Sequence, residues 1–458
     1  MKYSRTRMAI AIAGALALTS TLVACGDDKK EPAADANAAV TLNVVGLLPG
    51  AKPEAQKALA DEVADFQKEN PKITVKTKDY EWKATTFAAD LAGGTLPTVF
   101  EIPFTDAKTL IANGQIADMQ SSLSTLSYAG NFNKNLLQYG QGPDGHTYAI
   151  PAKSVYAIGL HYNRDLFTSA GLDPNKPPTT WDEVRTAAKA IATKNPGVAG
   201  FAQMAKDATG GWQLTVDTYA RGGRLEDGKK ATLTNDATKA SLQFLKDMRW
   251  TDNSMGANFD YDWTGINQAF AAGKVGMYTS GQDVYTSLVQ TNNINPKQYG
   301  LTMIPLTGSD AGVLGGGTMA AVAKTATANE KAAAVKWIDY HYLRKYTNQD
   351  AAKKNAEIQV ASKQPVGTPE LPIFSQQQYQ TYQDWIKSYV NVPLDQMTSF
   401  TTKVFDAKLV NEPAIATQDV YKSLDTVVQA VLTDKNADID KLLTDANAKA
   451  QRAIDSAG

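Results

Sequence analysis

The chain has very little cysteine and histidine. Cys25 is the only cysteine among 458 residues, and the three histidines stand far apart, at positions 146, 161 and 341. A single thiol cannot form an intrachain disulfide, and isolated histidines do not supply the spacing of a Cys/His zinc site. Disulfide scaffolds and Cys/His zinc clusters are therefore excluded, and we expect no metal and no cofactor.

An excess of charge of one sign is also missing. Lys and Arg number 46 against 47 Asp and Glu, which gives a formal net charge of −1. A protein that binds nucleic acid through phosphate contacts normally carries a basic surface. We therefore expect no nucleic-acid partner.

The one extended apolar segment lies at the start of the chain. Lys2, Arg5 and Arg7 precede the apolar residues 8–23, an arrangement typical of a secretory signal and too short for a confident membrane span. The segment ends in Leu-Val-Ala-Cys at residues 22–25, which resembles the bacterial lipobox. We predict a signal peptide over 1–24, lipidation of Cys25 and a flexible tether over 25–39, with the protein anchored at the outer face of the cell membrane. The alternative is an incidental thiol.

The remaining length predicts two lobes, because one hydrophobic core usually stops growing at roughly 250 to 300 residues. A β run at 40–45, an amphipathic helix from Pro53 to the Asn70-Pro71 stop, and a second β run at 73–77 indicate a parallel βαβ unit. Further helices are predicted through Phe87 and Leu91 up to Gly93-Gly94, and around 237–250, 263–271 and 417–432. Similar alternation resumes after Pro151: a capping box at 180–183 opens a helix, a turn and strand are expected at 197–202, and a further strand is expected at 274–278. The fold class is therefore predicted to be α/β, with ligands expected beyond the carboxyl ends of the strands, at loops 46–50 and 101–106.

Sequence motifs of catalysis are incomplete. Gly273-Lys274 is followed by Val275 and so lacks the P-loop ending. The stretch 308–312 has its serine one position too early for a nucleophile elbow, and 260–263 lacks the glycine and distal carboxylate of a calcium loop. A glycosidase-type pair of carboxylates stays open, because sequence spacing says nothing about separation in space.

Aromatic residues are plentiful, with seven Trp and nineteen Tyr. Sugar sites combine aromatic platforms with carboxylates and amides, so this composition permits sugar binding. Trp212 follows two glycines in an expected strand-to-helix loop and is the first candidate for a ligand contact. Trp82, Trp263 and Trp385 are weaker candidates, whereas helical patterning assigns Trp181 and Trp337 to the core.

Several motifs occur in an order that resembles one family. They are Gly93–Phe100, Asp144–Pro151, Tyr162–Phe167 with Ala170–Leu172, Pro178–Glu183 and Ala269–Met277. With the lipobox, they identify the chain as similar to the extracellular solute-binding lipoproteins of bacterial ABC sugar importers, the group related to maltose-binding protein. The resemblance implies a two-lobed fold of the type II periplasmic-binding-protein kind, with a ligand cleft between the lobes.

The resemblance also implies lobe boundaries and ligand contacts. One lobe would comprise 40–150 and 305–365, and the other 151–304 and 366–458. The implied ligand-binding residues, beside the tryptophans above, are Glu101, Asp106, Tyr156, Asp283, Gly316 and Gly317. Asp283 stands where relatives often carry an aromatic residue, and Gly316 and Gly317 are expected in a loop that closes over the ligand.

The function implied is capture of a mono- or oligosaccharide by a monomeric, non-enzymatic protein that delivers it to a membrane permease. Two alternatives stay open. The chain could be a lipoprotein enzyme acting on glycans, or the same fold could bind a polyamine, a peptide or a polyol. Glu101 and Asp283 in one cleft would favour a polyamine.

Overall fold

The computed structural model describes residues 34–35, 37–47, 49, 53–80 and 86–457. The predicted signal segment, Cys25 and Trp82 lie outside these residues. Among the described helices, none is long and apolar enough to cross a membrane.

Ten strands and eighteen α-helices alternate along the described chain, so the α/β prediction is confirmed. The strands are β1 Val40–Val45, β2 Ile73–Lys78, β3 Val99–Pro103, β4 Ala149–Asn163, β5 Glu226–Asp227, β6 Lys230–Ala231, β7 Met277–Gly281, β8 Tyr299–Met303, β9 Val313–Val322 and β10 Leu409–Asn411.

The helices vary in length from one turn to five. They are α1 Pro53–Glu69, α2 Phe87–Gly93, α3 Phe104–Ala112, α4 Gln120–Leu123, α5 Lys134–Leu137, α6 Arg164–Ser169, α7 Trp181–Lys194, α8 Thr209–Ala220, α9 Asp236–Trp250, α10 Trp263–Ala271, α11 Val284–Gln290, α12 Ala328–Ile338, α13 Arg344–Thr347, α14 Gln349–Ala361, α15 Gln376–Ile386, α16 Thr398–Thr401, α17 Thr417–Thr433 and α18 Ile439–Ala457.

The predicted βαβ unit is present. β1 pairs with β2 and with β3 in parallel, and α1 crosses between the first two strands. The predicted helices at α1, α2, α9, α10 and α17 are confirmed nearly to the residue. The predicted capping box at the start of α7 is confirmed as well, since Thr180 and Glu183 cap each other's backbone.

Two long strands run through the middle of the structure. β4 pairs antiparallel with β9 through its first part and with β7 and β8 through its last part, so this strand belongs to both halves of an eight-stranded mixed sheet. Its register shifts between Pro151 and Val155. Proline has no backbone N–H to donate, and a bulge at this point is the usual accommodation.

Some expected elements differ from the structure. The strand expected at 197–202 is reduced to an isolated bridge from Ala199 to Val275, and the following strand, β7, begins three residues later than predicted. Gly316 and Gly317 lie inside β9 and not in a loop, because β4 pairs with them along their length.

Helices cover the sheet and supply most of the core. α12 packs on β1, while α8 is enclosed by α17, α9, β7 and β9. Trp181 and Trp337 are buried at 7% and 0% exposure, which confirms their assignment to the core. α15 packs on α13 and α14, whereas α17 and α18 pack near α8 and α9. The proposed lobe boundaries stay predictions.

Candidate functional site

A cavity lies where β3 and β10 end against the same edge of β9. β3 covers that edge from Thr318 to Val322 and β10 covers it from Val313 to Gly315, while β4 occupies the opposite edge. The edge is therefore left open at Gly316 and Gly317. Twelve residues border the resulting cavity: Pro103, Phe104, Thr105, Lys108, Tyr139, Tyr156, Gly315, Gly316, Gly317, Asn411, Glu412 and Ala414.

Glycine at 316 is required by a close contact. A Cβ added to Gly316 would lie 2.4 Å from the hydroxyl oxygen of Tyr156. The ring of Tyr156 thus occupies the space that a side chain at 316 would need. Gly316 therefore allows a close approach, and the approaching group is the hydroxyl end of Tyr156.

Three elements converge on one carboxylate at the cavity. Tyr156 on β4 donates its hydroxyl to Oε1 of Glu412 over 2.9 Å, and Trp212 on α8 donates its indole N–H to the same oxygen over 3.1 Å. Glu412 follows β10 directly and precedes Pro413. These contacts join Glu412 to residues that precede it by 256 and 200 positions at the cavity wall.

Burial dominates the electrostatics of this cluster. Burial raises the pKa of Glu412, the hydrogen bonds from Tyr156 and Trp212 lower it, and the charge of Asp106 raises it further. The pKa of Tyr156 is raised well above its usual range, first by burial and then by the charges of Glu412 and Asp283. Asp106 and Asp283 are thus within electrostatic reach of the cavity.

A second carboxylate holds the loop that carries Glu412. Glu226 on β5 accepts hydrogen bonds from the backbone N–H groups of Ala414 and Ile415, and Thr417 donates its hydroxyl to the carbonyl of Pro413 over 2.6 Å. Ala416 has a left-handed φ of 50°. The loop conformation is therefore fixed from both sides, which positions Glu412.

A third carboxylate fixes the start of α8, the helix of Trp212. Asp425 on α17 accepts from the N–H groups of Ala208 and Gly211, over 2.7 and 2.8 Å. It is 8% exposed. Because the first N–H groups of a helix have no partner within the helix, this side chain acts as a cap supplied by another element.

One basic side chain, Lys108, borders the cavity, and it is hydrogen-bonded to two backbone carbonyls. The ammonium of Lys108 on α3 donates to the carbonyls of Gln138 and Gln141 over 2.6 and 2.8 Å. Burial lowers the pKa of Lys108. Lys108 therefore links α3 to residues 138–141, the segment that contains Tyr139.

The structure brings together five of the ten residues singled out from the sequence. Tyr156, Gly316 and Gly317 border the cavity, and Trp212 reaches it through Glu412. Trp212 lies in the first turn of α8 and not in a loop. Asp283 lies near Tyr156, since a Cβ on Gly281 would contact both residues.

Glu101 and Asp106 are not in a loop as expected. Glu101 lies within β3, where it accepts from Tyr342 over 2.9 Å and pairs with Lys153 over 3.1 Å. Asp106 is in the first turn of α3. The strand continues to Pro103 because each of its residues pairs with β9.

Trp263 and Trp385 are not among the residues that border the cavity. Trp263 begins α10 and is 40% exposed. Trp385 is on α15 and packs against the core. No group of three or more His, Cys, Asp or Glu side chains that could hold a metal ion occurs in the described ranges.

Glu412, the residue at the centre of the cluster, was not predicted from the sequence. The available indication was a short apolar pair, Leu409-Val410, followed by Asn-Glu-Pro, which is the pattern of a brief strand and its polar end. Phe104 and Lys108 were not predicted because β3 and α3 are joined without the expected loop.

Comparison with known proteins gives a family match over most of the chain. The family model for bacterial extracellular solute-binding proteins matches residues 62–360. The sn-glycerol-3-phosphate-binding periplasmic protein UgpB of Agrobacterium fabrum is 27% identical over 271 residues, which cover 56% of this chain and 59% of that protein. UgpB of Brucella abortus is 30% identical over 158 residues, 33% of this chain and 36% of that protein. The chain thus spans between about a third and three fifths of these relatives.

Solved structures share the fold over nearly the whole chain. An ABC transporter solute-binding protein from Thermotoga lettingae, bound with α-D-tagatose, gives a TM-score of 0.71 at 19% identity and covers 90% of this chain and 99% of its own. UgpB from Mycobacterium tuberculosis, in complex with glycerophosphocholine, gives 0.70 at 17% identity and covers 91% and 99%. The fold is that of the two-lobed solute-binding proteins, as predicted.

Proposed function

We propose a function that proceeds from one premise: this chain belongs to the family of bacterial extracellular solute-binding proteins. The function is capture of a small carbohydrate or a related polyhydroxylated solute in a cleft between two lobes, followed by delivery to the permease of an ABC importer. The bound solute is transferred unchanged, so the protein is not an enzyme.

The observation that carries this proposal is the cavity at the open edge of β9. It combines rings of Phe104, Tyr139 and Tyr156 with the carboxylate of Glu412 and the backbone of Gly316. Sugar-like solutes present apolar C–H faces and rims of hydroxyl groups. Aromatic side chains can pack against the C–H faces, and polar groups between them can hydrogen-bond the hydroxyls. Because β4 and β9 pair with strands in both halves of the sheet, we place the cavity between the two proposed lobes.

The site residues are proposed from their positions. Tyr156, Gly316, Gly317 and Glu412 would contact the solute, and Trp212 would act through Glu412. Asp106 and Asp283 would influence the solute through charge. The proposed lobes are 40–150 with 305–365, and 151–304 with 366–458.

The proposed location, the outer face of the cell membrane, rests on the N-terminal sequence. Residues 1–24 are proposed as a signal peptide and Cys25 as the lipidated residue of a lipid-anchored, monomeric protein on the outer face of the cell membrane. The support is the order of three basic residues, an apolar segment and Leu-Val-Ala-Cys at 22–25. Mass spectrometry of the protein extracted from membranes tests this: a diacylglyceryl group on Cys25 is expected, and an intact N-terminus with a free thiol contradicts the anchor.

The binding proposal is tested by the thermal-unfolding midpoint of the full chain in mild detergent. The probes are maltose, D-mannitol and D-tagatose, with spermidine and a tripeptide for comparison. A ligand that binds only the folded state, at 100 times its dissociation constant, adds about 2.7 kcal/mol to the free energy of unfolding. We expect a raised midpoint with at least one sugar or polyol, which is then recovered intact.

Other outcomes contradict the proposal in distinct ways. Cleavage of the sugar would identify a glycan-active enzyme. A shift with spermidine or the peptide alone would keep the family and overturn the solute class. A midpoint unchanged by every probe would overturn this cavity as a site for these solutes.

A further inference from the structure

The cavity combines aromatic rings with a half-buried carboxylate. The rings of Phe104 and Tyr139 lie 5.4 Å apart between centroids, with an interplanar angle of 35°, and Tyr156 borders the same space. The hydroxyl of Tyr156 is directed to Glu412. Three aromatic residues and one carboxylate therefore border a single space.

Three carboxylates lie in or near this space. Glu412 forms no ion pair with any Lys or Arg in the part of the chain that the structure describes, and its neighbours include the neutral donors Tyr156 and Trp212. The charges of Asp106 and Asp283 act on Glu412 and on Tyr156 respectively. The basic lining residue, Lys108, is held by two backbone carbonyls.

A carboxylate in this setting favours a cation. Removing a carboxylate from water costs several kcal/mol unless an opposite charge approaches it. Aromatic faces add to the attraction, since ring quadrupoles bind ammonium groups and do so best when water is excluded. A phosphate dianion would instead meet repulsion from Glu412, Asp106 and Asp283.

We propose that the cavity between Glu412 and the rings of Phe104, Tyr139 and Tyr156 receives a positively charged ammonium group of the transported solute. This inference rests on the proposed function and narrows its solute class to amine-bearing or quaternary-ammonium solutes. It also separates this chain from relatives named for an anionic solute, because the same carboxylates that attract the ammonium repel a phosphate.

The test compares two probes of nearly equal shape. Choline and 3,3-dimethylbutan-1-ol differ in the replacement of the charged nitrogen by carbon, so a difference in their affinity measures the contribution of charge. Titration calorimetry of the full chain in mild detergent, up to the solubility limit of each probe, gives both affinities. We expect choline to bind at least about tenfold more tightly, which corresponds to about 1.4 kcal/mol.

Two variants assign the effect to the cavity. Glu412→Gln keeps the shape and removes the charge, and it should reduce the choline preference to near unity. Glu357→Gln is the matched control: Glu357 also accepts from a tyrosine hydroxyl, that of Tyr389 over 2.7 Å, but it is exposed on α14. This control should retain the wild-type preference.

The outcomes separate this inference from the proposed function. Equal affinities for the two probes, or no choline binding by a protein that binds a neutral sugar, overturn the cation site and leave solute capture standing. A choline preference that survives in Glu412→Gln also overturns the assignment to this cavity. If neither choline nor any sugar or polyol binds, both proposals fail.

Discussion

The hydroxyl of Tyr156 donates to Oε1 of Glu412 over 2.9 Å and so joins two residues that are 256 positions apart. One partner lies on the longest strand of the structure, and the other follows the short strand β10. Trp212 donates to the same oxygen from α8. The cavity wall is therefore assembled from three distant segments, and each can be tested separately.

Trp212→Phe should weaken solute binding while leaving the fold intact. The change keeps an aromatic ring and removes the N–H that donates to Glu412. A hydrogen bond to a charged group contributes about 1.5 to 3 kcal/mol to the folded state, so we expect a lower thermal midpoint. We also expect a higher dissociation constant for whichever probe binds, because Glu412 is no longer held in position. Calorimetric titration measures this change.

Trp250→Phe is the control for that variant. The indole of Trp250 donates to the carbonyl of Val431 over 2.9 Å, between α9 and α17 and away from the cavity lining. An equal loss of affinity in both tryptophan variants would contradict a specific role for Trp212.

Gly316→Ala should displace Tyr156. The added methyl group would lie 2.4 Å from the tyrosine hydroxyl, so the ring must move away from Glu412 or the strands must separate. Overpacking of this kind costs about 1 to 3 kcal/mol. We expect a lower thermal midpoint together with weaker solute binding. Gly130→Ala has open space around the new methyl group and should behave as the wild type; unchanged binding in Gly316→Ala would argue against a site at this edge.

Asp425→Ala should destabilise the protein by about 3 kcal/mol. The change leaves the N–H groups of Ala208 and Gly211 without their acceptor in a buried place, and each loss costs about 1 to 3 kcal/mol. Urea denaturation measures the free energy of unfolding. Asp445→Ala, which removes an exposed partner of Lys441 on α18, should change stability little. Similar effects of the two changes would contradict the capping role.

Asp217→Asn should alter the pH dependence of stability. Asp217 on α8 is fully buried, and burial raises its pKa to about 7, above an ordinary value near 3.8. Below pH ~4 Asp217 carries its proton in both the folded and the unfolded chain, so the folded state has its full stability with respect to this residue. As the pH rises from about 4 to about 7, Asp217 ionises in the unfolded chain but stays protonated in the folded chain, so the free energy of unfolding falls.

The measurement is the difference in free energy of unfolding between wild type and Asp217→Asn from pH 4 to 8. The wild type should lose on the order of 4 kcal/mol relative to the variant over this range. Wild type must be compared with the variant because buried His161, whose pKa is lowered to about 4, has the opposite pH dependence. The stability that neutral His161 contributes is lost as the pH falls from about 6.5 to about 4, and it cancels in the comparison. Parallel curves for the two proteins would contradict the prediction.

Local chemistry explains which parts of the fold could be predicted from the sequence. The period of Leu59, Val63 and Phe66, followed by Asn70-Pro71, specifies α1 and its end, and all of this information lies within 20 residues. The capping box at Thr180 is equally local. Such elements were predicted nearly to the residue.

Features that depend on distant pairing were not predictable in the same way. The extension of β3 through Glu101 to Pro103 exists because β9, more than 200 residues later, pairs with it. β10 has three residues and depends on β9 for its ladder. Glu412 consequently stayed hidden, and the fully enclosed α8 lacks the polar face that normally marks a helix.

The sharing of β4 between both halves of the sheet has a consequence for unfolding. Melting of the ladder with β9 would remove the support of the strand that also pairs with β7 and β8. The chain also returns to this junction through β9 and β10, so no single cut in the polypeptide would release two intact halves. The described part of the chain should therefore unfold in one cooperative step, with both halves of the sheet melting together.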